Sequence, residues 1–119
     1  MNVYTWEING VSLEFDIEDA DNAEKYQKAF EKFGETEKII TSSEINSADF
    51  IREYCKMFRN LYDDIFGKGT SDKIFSGIKD NSRKYDEIYA EFLNFIRNQS
   101  EKAAERKNNL AVKYCPRRK

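Results

Sequence analysis

Histidine is absent from this sequence of 119 residues. Its absence removes the most common general base, proton shuttle and metal ligand of proteins, and therefore disfavours most enzyme chemistry. The sequence also lacks an apolar run of the ~18 to 20 residues that a membrane-spanning helix needs, and it lacks an N-terminal secretory signal. Internal repeats and low-complexity linkers are missing as well. We therefore expect one soluble, cytoplasmic domain without membrane contact.

Cysteine is scarce, and its spacing does not suit a metal site. Cys55 and Cys115 lie far apart and form no CxxC pair. Without histidine to complete a ligand set, zinc is close to excluded, and we predict no metal and no cofactor. Cys55 falls within an apolar helical pattern and is interpreted as a small core residue. A cytoplasmic setting favours free thiols over a disulfide.

Aromatic residues are abundant: nine Phe, seven Tyr and one Trp. This content argues against disorder, because disordered chains contain few such residues. Stacking on nucleic acid is one use for aromatic side chains. The four-residue spacing of Tyr54, Phe58, Tyr62 and Phe66 instead indicates the core face of a helix. A small protein with this many aromatics also has enough apolar surface to form a homo-oligomer.

Charge is unevenly distributed along the chain. Residues 1–50 carry 12 acidic and four basic residues, whereas residues 101–119 carry two acidic and seven basic ones. One interpretation is a solvated surface with no specific ligand. The other is that the basic end binds an acidic partner, or the acidic front of a neighbouring copy. The sequence pI of about 5.3 argues against direct nucleic-acid binding, for which a domain pI above about 9 is typical.

Residues 3–17 predict a β-hairpin. Asn9-Gly10 tolerates the positive φ angles that a two-residue hairpin turn needs. Apolar residues alternate with polar ones on both sides of this turn: Tyr4, Trp6 and Ile8 before it, then Val11, Leu13, Phe15 and Ile17 after it. An isolated hairpin is marginally stable in water. Its apolar face must therefore pack on helices or on another chain.

After residue 17 the apolar period changes from two to about 3.6, which predicts helices. The predicted helices cover about residues 20–40, 47–66, 71–77 and 82–112. The second has the widest apolar stripe and is expected to be central. The predicted fold is α+β: an N-terminal β-hairpin packed on three main helices and one short helix. A single domain would span residues 1–113, followed by a basic tail at 114–119.

Two motifs contain residue types used in catalysis but lack the arrangement that catalysis needs. Gly67-Lys68-Gly69-Thr70 contains the residue types of a phosphate loop, but it lies between two predicted helices and in the wrong order. It is interpreted as a turn in which Gly67 ends one helix. The acidic pairs Glu18-Asp19, Asp63-Asp64 and Asp86-Glu87 lack the convergent arrangement of an acid–base or metal site. We therefore predict no catalytic residues.

Several short stretches carry a family resemblance. They are Asn9-Gly10-Val11, the segments 15–20 and 23–26, Asp63 to Thr70 with Lys73-Ile74-Phe75, and the ending Lys113 to Arg117. Together they resemble small uncharacterised proteins of Firmicutes phages and prophages. Those proteins occur among the tail genes of long-tailed phages and look like tail assembly chaperones.

The resemblance implies a non-enzymatic helical chaperone in the host cell cytoplasm that binds the tape-measure protein and recruits tail-tube subunits. An alternative is a small acidic phage inhibitor of a bacterial defence nuclease, similar to an anti-CRISPR protein. In that case the acidic first half would mimic nucleic-acid phosphates. The basic end supplies the candidate partner-binding residues, in which Arg can pair with carboxylates. These are Tyr114, Arg117, Arg118 and Lys119.

Overall fold

A computed structural model describes residues 2–114 and consists of an N-terminal hairpin and four helices. The elements are β1 (Thr5–Ile8), β2 (Val11–Glu14), α1 (Ala20–Ser42), α2 (Ser47–Phe66), α3 (Thr70–Ile74) and α4 (Ser82–Tyr114). The α+β prediction, with a hairpin, three long helices and a short one, is confirmed. The described part of the chain is elongated and measures 61 × 33 × 23 Å.

The hairpin forms as its turn sequence predicts. Asn9 and Gly10 both have positive φ, 48° and 76°, and join antiparallel strands in which Ile8 pairs with Val11. The regular strands are shorter than the predicted range of 3–17. The Phe15 amide still donates to the Tyr4 carbonyl at 2.9 Å beyond the ends of the strands. The Asn9 side chain also donates to the carbonyl oxygens of Ile74 and Ser76, which fixes the turn against the end of α3.

The core lies between the hairpin and the helices, with α2 at its centre. Helix α2 packs against α1, α3 and α4, and β1 packs against α4. Trp6 of the hairpin lies among aromatic rings of α2 and α4, with ring-centroid distances of 5.3 to 6.2 Å to Tyr62, Phe66, Phe92 and Phe95. The hairpin therefore completes the core of the helical body.

Some predicted helix boundaries differ from the structure. Helix α1 extends to Ser42, where Ser43 satisfies two carbonyls of the last turn: its hydroxyl donates to the Ile39 carbonyl at 2.7 Å and its amide to the Ile40 carbonyl at 3.3 Å. The short helix covers Thr70–Ile74 instead of 71–77. It ends early because a turn, closed by the Ile78 amide donating to the Phe75 carbonyl, leads into Gly77 at φ 78°.

Two of the helices begin at asparagine caps. Asn81 caps α4 by accepting a hydrogen bond from the Lys84 amide at 3.0 Å. Asn46 caps α2 in the same way by accepting from the Asp49 amide at 2.8 Å. Both asparagines satisfy an amide of the first helical turn that has no partner within its own helix.

Replacing Tyr62 by Phe is expected to stabilise the protein by about 1 kcal/mol. The Tyr62 hydroxyl is buried and has no hydrogen-bond partner among the described residues. Removing it eliminates the cost of a desolvated, unpaired group. Urea denaturation followed by circular dichroism measures the change in unfolding free energy.

Tyr85→Phe is the matched control for this prediction. The Tyr85 hydroxyl accepts a hydrogen bond from Arg59 at 2.8 Å, so its removal should destabilise the fold. A loss of 1 kcal/mol or more in Tyr62→Phe would contradict the prediction and indicate that a buried water binds that hydroxyl.

Candidate functional site

The C-terminal part of α4 extends beyond the body of the protein. Helix α4 has 33 residues and a length of about 50 Å at 1.5 Å per residue. Among the residues of α4 whose side chains the structure describes, up to residue 110, the last buried one is Gln99. Residues 100–110, which we call the arm, are exposed except for Ala103, which is half-buried. The arm is therefore a helix with most of its surface available to another molecule.

Gln99 fixes the base of the arm to the hairpin. Its side chain is 3% exposed. The amide nitrogen donates to the carbonyl oxygens of Phe15 at 2.7 Å and Val3 at 3.3 Å, and the amide oxygen accepts from the Ile17 backbone amide at 2.9 Å. One side chain thus satisfies three backbone groups at both ends of the hairpin. The base of the arm and the open end of the hairpin are therefore held together.

A second contact joins the arm to the segment between β2 and α1. Arg106 donates to both carboxylate oxygens of Glu18, at 2.8 and 2.5 Å. The hydrogen bond from Arg106 and its positive charge lower the pKa of Glu18, and Lys107 adds a smaller effect in the same direction. The same hydrogen bond raises the pKa of Arg106. Because the pair is solvent-exposed, it orients the arm more than it stabilises the fold.

A shallow groove lies between this segment and the arm. Its lining combines small or apolar side chains with charged ones: Ile17, Glu18, Ser100, Ala103, Ala104, Arg106 and Lys107. One turn further along α4, Leu110 is 47% exposed. Residues 103, 106, 107 and 110 share one side of the helix, since residues three, four and seven apart are neighbours. This side continues beyond the groove without cover from the described residues.

The predicted partner-binding residues lie at or beyond the end of the described chain. Tyr114 is the last residue of α4, and its side chain lies outside the described residues. Arg117, Arg118 and Lys119 also lie outside them, as does Cys115. Their assignment therefore stays a prediction.

The structure shows where the glycine-rich turn and the acidic pair Asp63-Asp64 lie. Gly67 and Gly69 have φ angles of 119° and 93° and flank Lys68 in the turn between α2 and α3. Asp63 accepts from the Ser71 backbone amide at 2.8 Å, and Asp64 pairs with Lys32 at 3.3 Å. The two adjacent carboxylates thus bind different groups. Neither motif brings reactive side chains together.

Other titratable side chains in the body contribute to packing. Cys55 is fully buried, and burial raises the pKa of its thiol to about 11, which disfavours the reactive thiolate. Burial also raises the pKa of Tyr54, whose hydroxyl donates to Asp86.

Within residues 2–114, no group of three or more Cys, Asp or Glu side chains is arranged to hold a metal ion. No helix in the described part of the chain is long and apolar enough to cross a membrane.

Sequence reasoning found the basic end but missed Gln99, Arg106 and Leu110 as the residues that define the arm. The charge count identifies residues 101–119 as basic without separating Arg106 from its neighbours. The sequence does contain a signal for these residues. Positions 99, 103, 106 and 110 continue the spacing of the buried face of α4 into a polar segment.

Comparison with curated proteins found no match, and comparison with solved structures found none either. A family model matches residues 9–119, which include β2, all four helices and the arm. Because this match covers nearly the whole sequence, the chain belongs to the family described as "Family of unknown function (DUF6673)".

Proposed function

We propose that this chain is a non-enzymatic phage protein, similar to tail assembly chaperones, that binds tape-measure or tail-tube proteins in the host cytoplasm during virion assembly. The observation that carries the proposal is the arm. A helix that extends past its own core leaves residues 100–110 available to a partner. Helices recognised along one face are a common mode of protein–protein binding.

The attachment of the arm supports a binding role. Gln99 and Arg106, about two turns apart on α4, fix the helix to the hairpin end of the body. A helix oriented in this way loses less conformational freedom on binding than an unattached segment would. The partner therefore meets a preorganised surface. The resemblance of several short stretches of the sequence to tail assembly chaperones favours a tail protein as that partner.

The predicted basic residues follow the arm in the sequence. Arg117, Arg118 and Lys119 follow the helix that ends at Tyr114, so they lie next to the arm in sequence. Arg is well suited to interfaces because its guanidinium makes paired hydrogen bonds with carboxylates. We propose that these residues and Tyr114 bind the same partner as the arm.

Deletion of residues 108–119 tests the proposal. The deletion retains Gln99 and the Arg106–Glu18 pair, so the melting temperature should change by no more than about 2 °C. Capture of co-expressed tape-measure or tail-tube protein from the same phage should be lost. Affinity pull-down and thermal melting of the same preparations provide the two measurements.

A matched control removes equal charge elsewhere. The deletion eliminates four basic residues, and a variant with Lys25, Lys38, Lys56 and Lys79 replaced by Gln eliminates four exposed ones from the body. This variant should capture the tail protein as the wild type does. Equal loss in both variants would indicate a non-specific charge effect and overturn the proposal. Inhibition of a defence nuclease without capture of any tail protein would favour the acidic-inhibitor alternative instead.

A further inference from the structure

We infer that the side of the arm facing the groove binds an acidic, amphipathic helical segment of the partner protein. This inference rests on the proposed function and specifies the chemistry of the partner. It concerns residues 102–110, which the structure describes with their side chains.

The basic and the acidic residues of the arm lie on different sides of the helix. At 100° per residue, Ala103, Arg106 and Leu110 share one side of the helix, and Lys102 and Lys107 flank it. The acidic residues of the arm, Glu101 and Glu105, project from the opposite side. The surface that continues from the groove therefore has Ala103 and Leu110 along its middle, with Arg106 between them bound to Glu18, and positive charge at both margins. A surface of this kind attracts a helix with an apolar stripe and acidic margins.

Two residues of the protein itself show which chemical groups bind to this side of the arm. Ile17 and Glu18, an apolar residue followed by a carboxylate, line the groove together with the first two turns of the arm. Ile17 lines the groove beside Ala103, and Glu18 binds Arg106 through both carboxylate oxygens. A partner segment with the same chemistry would continue this contact along the helix.

Beyond Arg106 this side of the arm remains exposed. Leu110 is 47% exposed, and neither Lys102 nor Lys107 has an ion-pair partner among residues 2–110. Lys107 lies close enough to Glu18 to affect its pKa, so a carboxylate beside this turn experiences a favourable field. We therefore expect Leu110 to contact an apolar residue of the partner and Lys107 to contact an acidic one.

A synthetic peptide tests this inference. The probe is a 16-residue helix with isoleucine at three- and four-residue spacing and glutamate at the margins; the control probe has lysine in place of each glutamate. Fluorescence anisotropy with the full-length chain should show binding of the acidic peptide alone. Binding should weaken at least tenfold when salt rises from about 0.05 to 0.5 M, because exposed charge pairs are screened.

Three variants localise the binding surface. Leu110→Ser should weaken binding of the acidic peptide about tenfold, the effect of removing one well-buried aliphatic contact. Lys107→Glu should weaken it by a similar factor. Leu93→Ser is the matched control, since Leu93 is 40% exposed on the same helix but lies within the body. Its effect should be less than twofold.

The remaining outcomes overturn the inference in distinguishable ways. Equal binding of the basic peptide would refute the charge argument. Absence of acidic-peptide binding, with tail-protein capture still lost on deletion of residues 108–119, would refute this partner chemistry and leave the proposed function intact. Concentration-dependent self-association that Leu110→Ser abolishes, seen in sedimentation without peptide binding, would identify a second copy as the occupant.

Discussion

Phe15→Asp is expected to unfold the protein at room temperature, whereas Glu14→Lys should leave its melting temperature nearly unchanged. Phe15 is 4% exposed, and its ring centroid lies 5.7 Å from that of Phe66 in α2 and 6.4 Å from that of Tyr26 in α1. Glu14 is exposed at the end of β2. The two neighbouring substitutions thus compare the two faces of one hairpin.

The magnitude follows from the environment of Phe15. Truncating a buried Phe costs about 3–5 kcal/mol, and a carboxylate placed in the same site adds the cost of a desolvated charge. The sum approaches the total stability of a small domain, about 5–15 kcal/mol. The Glu14 substitution changes only an exposed charge, for which about 0.5 kcal/mol is typical.

Thermal melting followed by far-ultraviolet circular dichroism measures both variants. A cooperative transition in Glu14→Lys and none in Phe15→Asp would agree with the structure. Equal melting temperatures would contradict the position of the hairpin, because they would mean that Phe15 is not part of the core. Protonation of the introduced carboxyl at low pH should partly restore folding of Phe15→Asp.

Much of the fold was predictable because it depends on local pattern. The change of apolar period after Ile17 separates the hairpin from the helices. Asn9-Gly10 determines the turn of the hairpin. The wide stripe of α2 predicted its central position, which the packing against three other helices confirms. These features follow from residues close together in sequence.

The base of the arm was not predictable because its contacts join distant residues. Gln99 begins a polar segment in the sequence, yet it is buried, because three backbone groups of residues 3–17 meet its side chain. The ion pair of Arg106 with Glu18 spans 88 positions. Neither pairing has a local signal. Charge counting located the basic region but could not identify the carboxylate that binds it.

The hydrogen bonds of Gln99 also make its substitution costly. Gln99→Ala is expected to lower the melting temperature by roughly 10–20 °C, equivalent to a few kcal/mol for a chain of this size. The substitution leaves the Ile17 amide and the Phe15 carbonyl without their partner, at about 1–3 kcal/mol for each buried group. Asn98→Ala, at the exposed neighbouring position, should change stability by less than about 0.5 kcal/mol.

Gln99→Glu separates the hydrogen bonds of this side chain from its packing. The substitution keeps the size of the side chain and an acceptor for the Ile17 amide, but it places a carboxylate against the carbonyl oxygens of Phe15 and Val3. Burial and these carbonyls raise the pKa of the introduced carboxyl in the folded state, so its protonation favours folding. Relative to the wild type, the destabilisation of Gln99→Glu should therefore shrink as pH falls from 7 toward about 4, and that of Gln99→Ala should not. Urea denaturation of the three proteins across this pH range measures the difference. A pH-independent loss in Gln99→Glu would contradict the contacts between Gln99 and the hairpin.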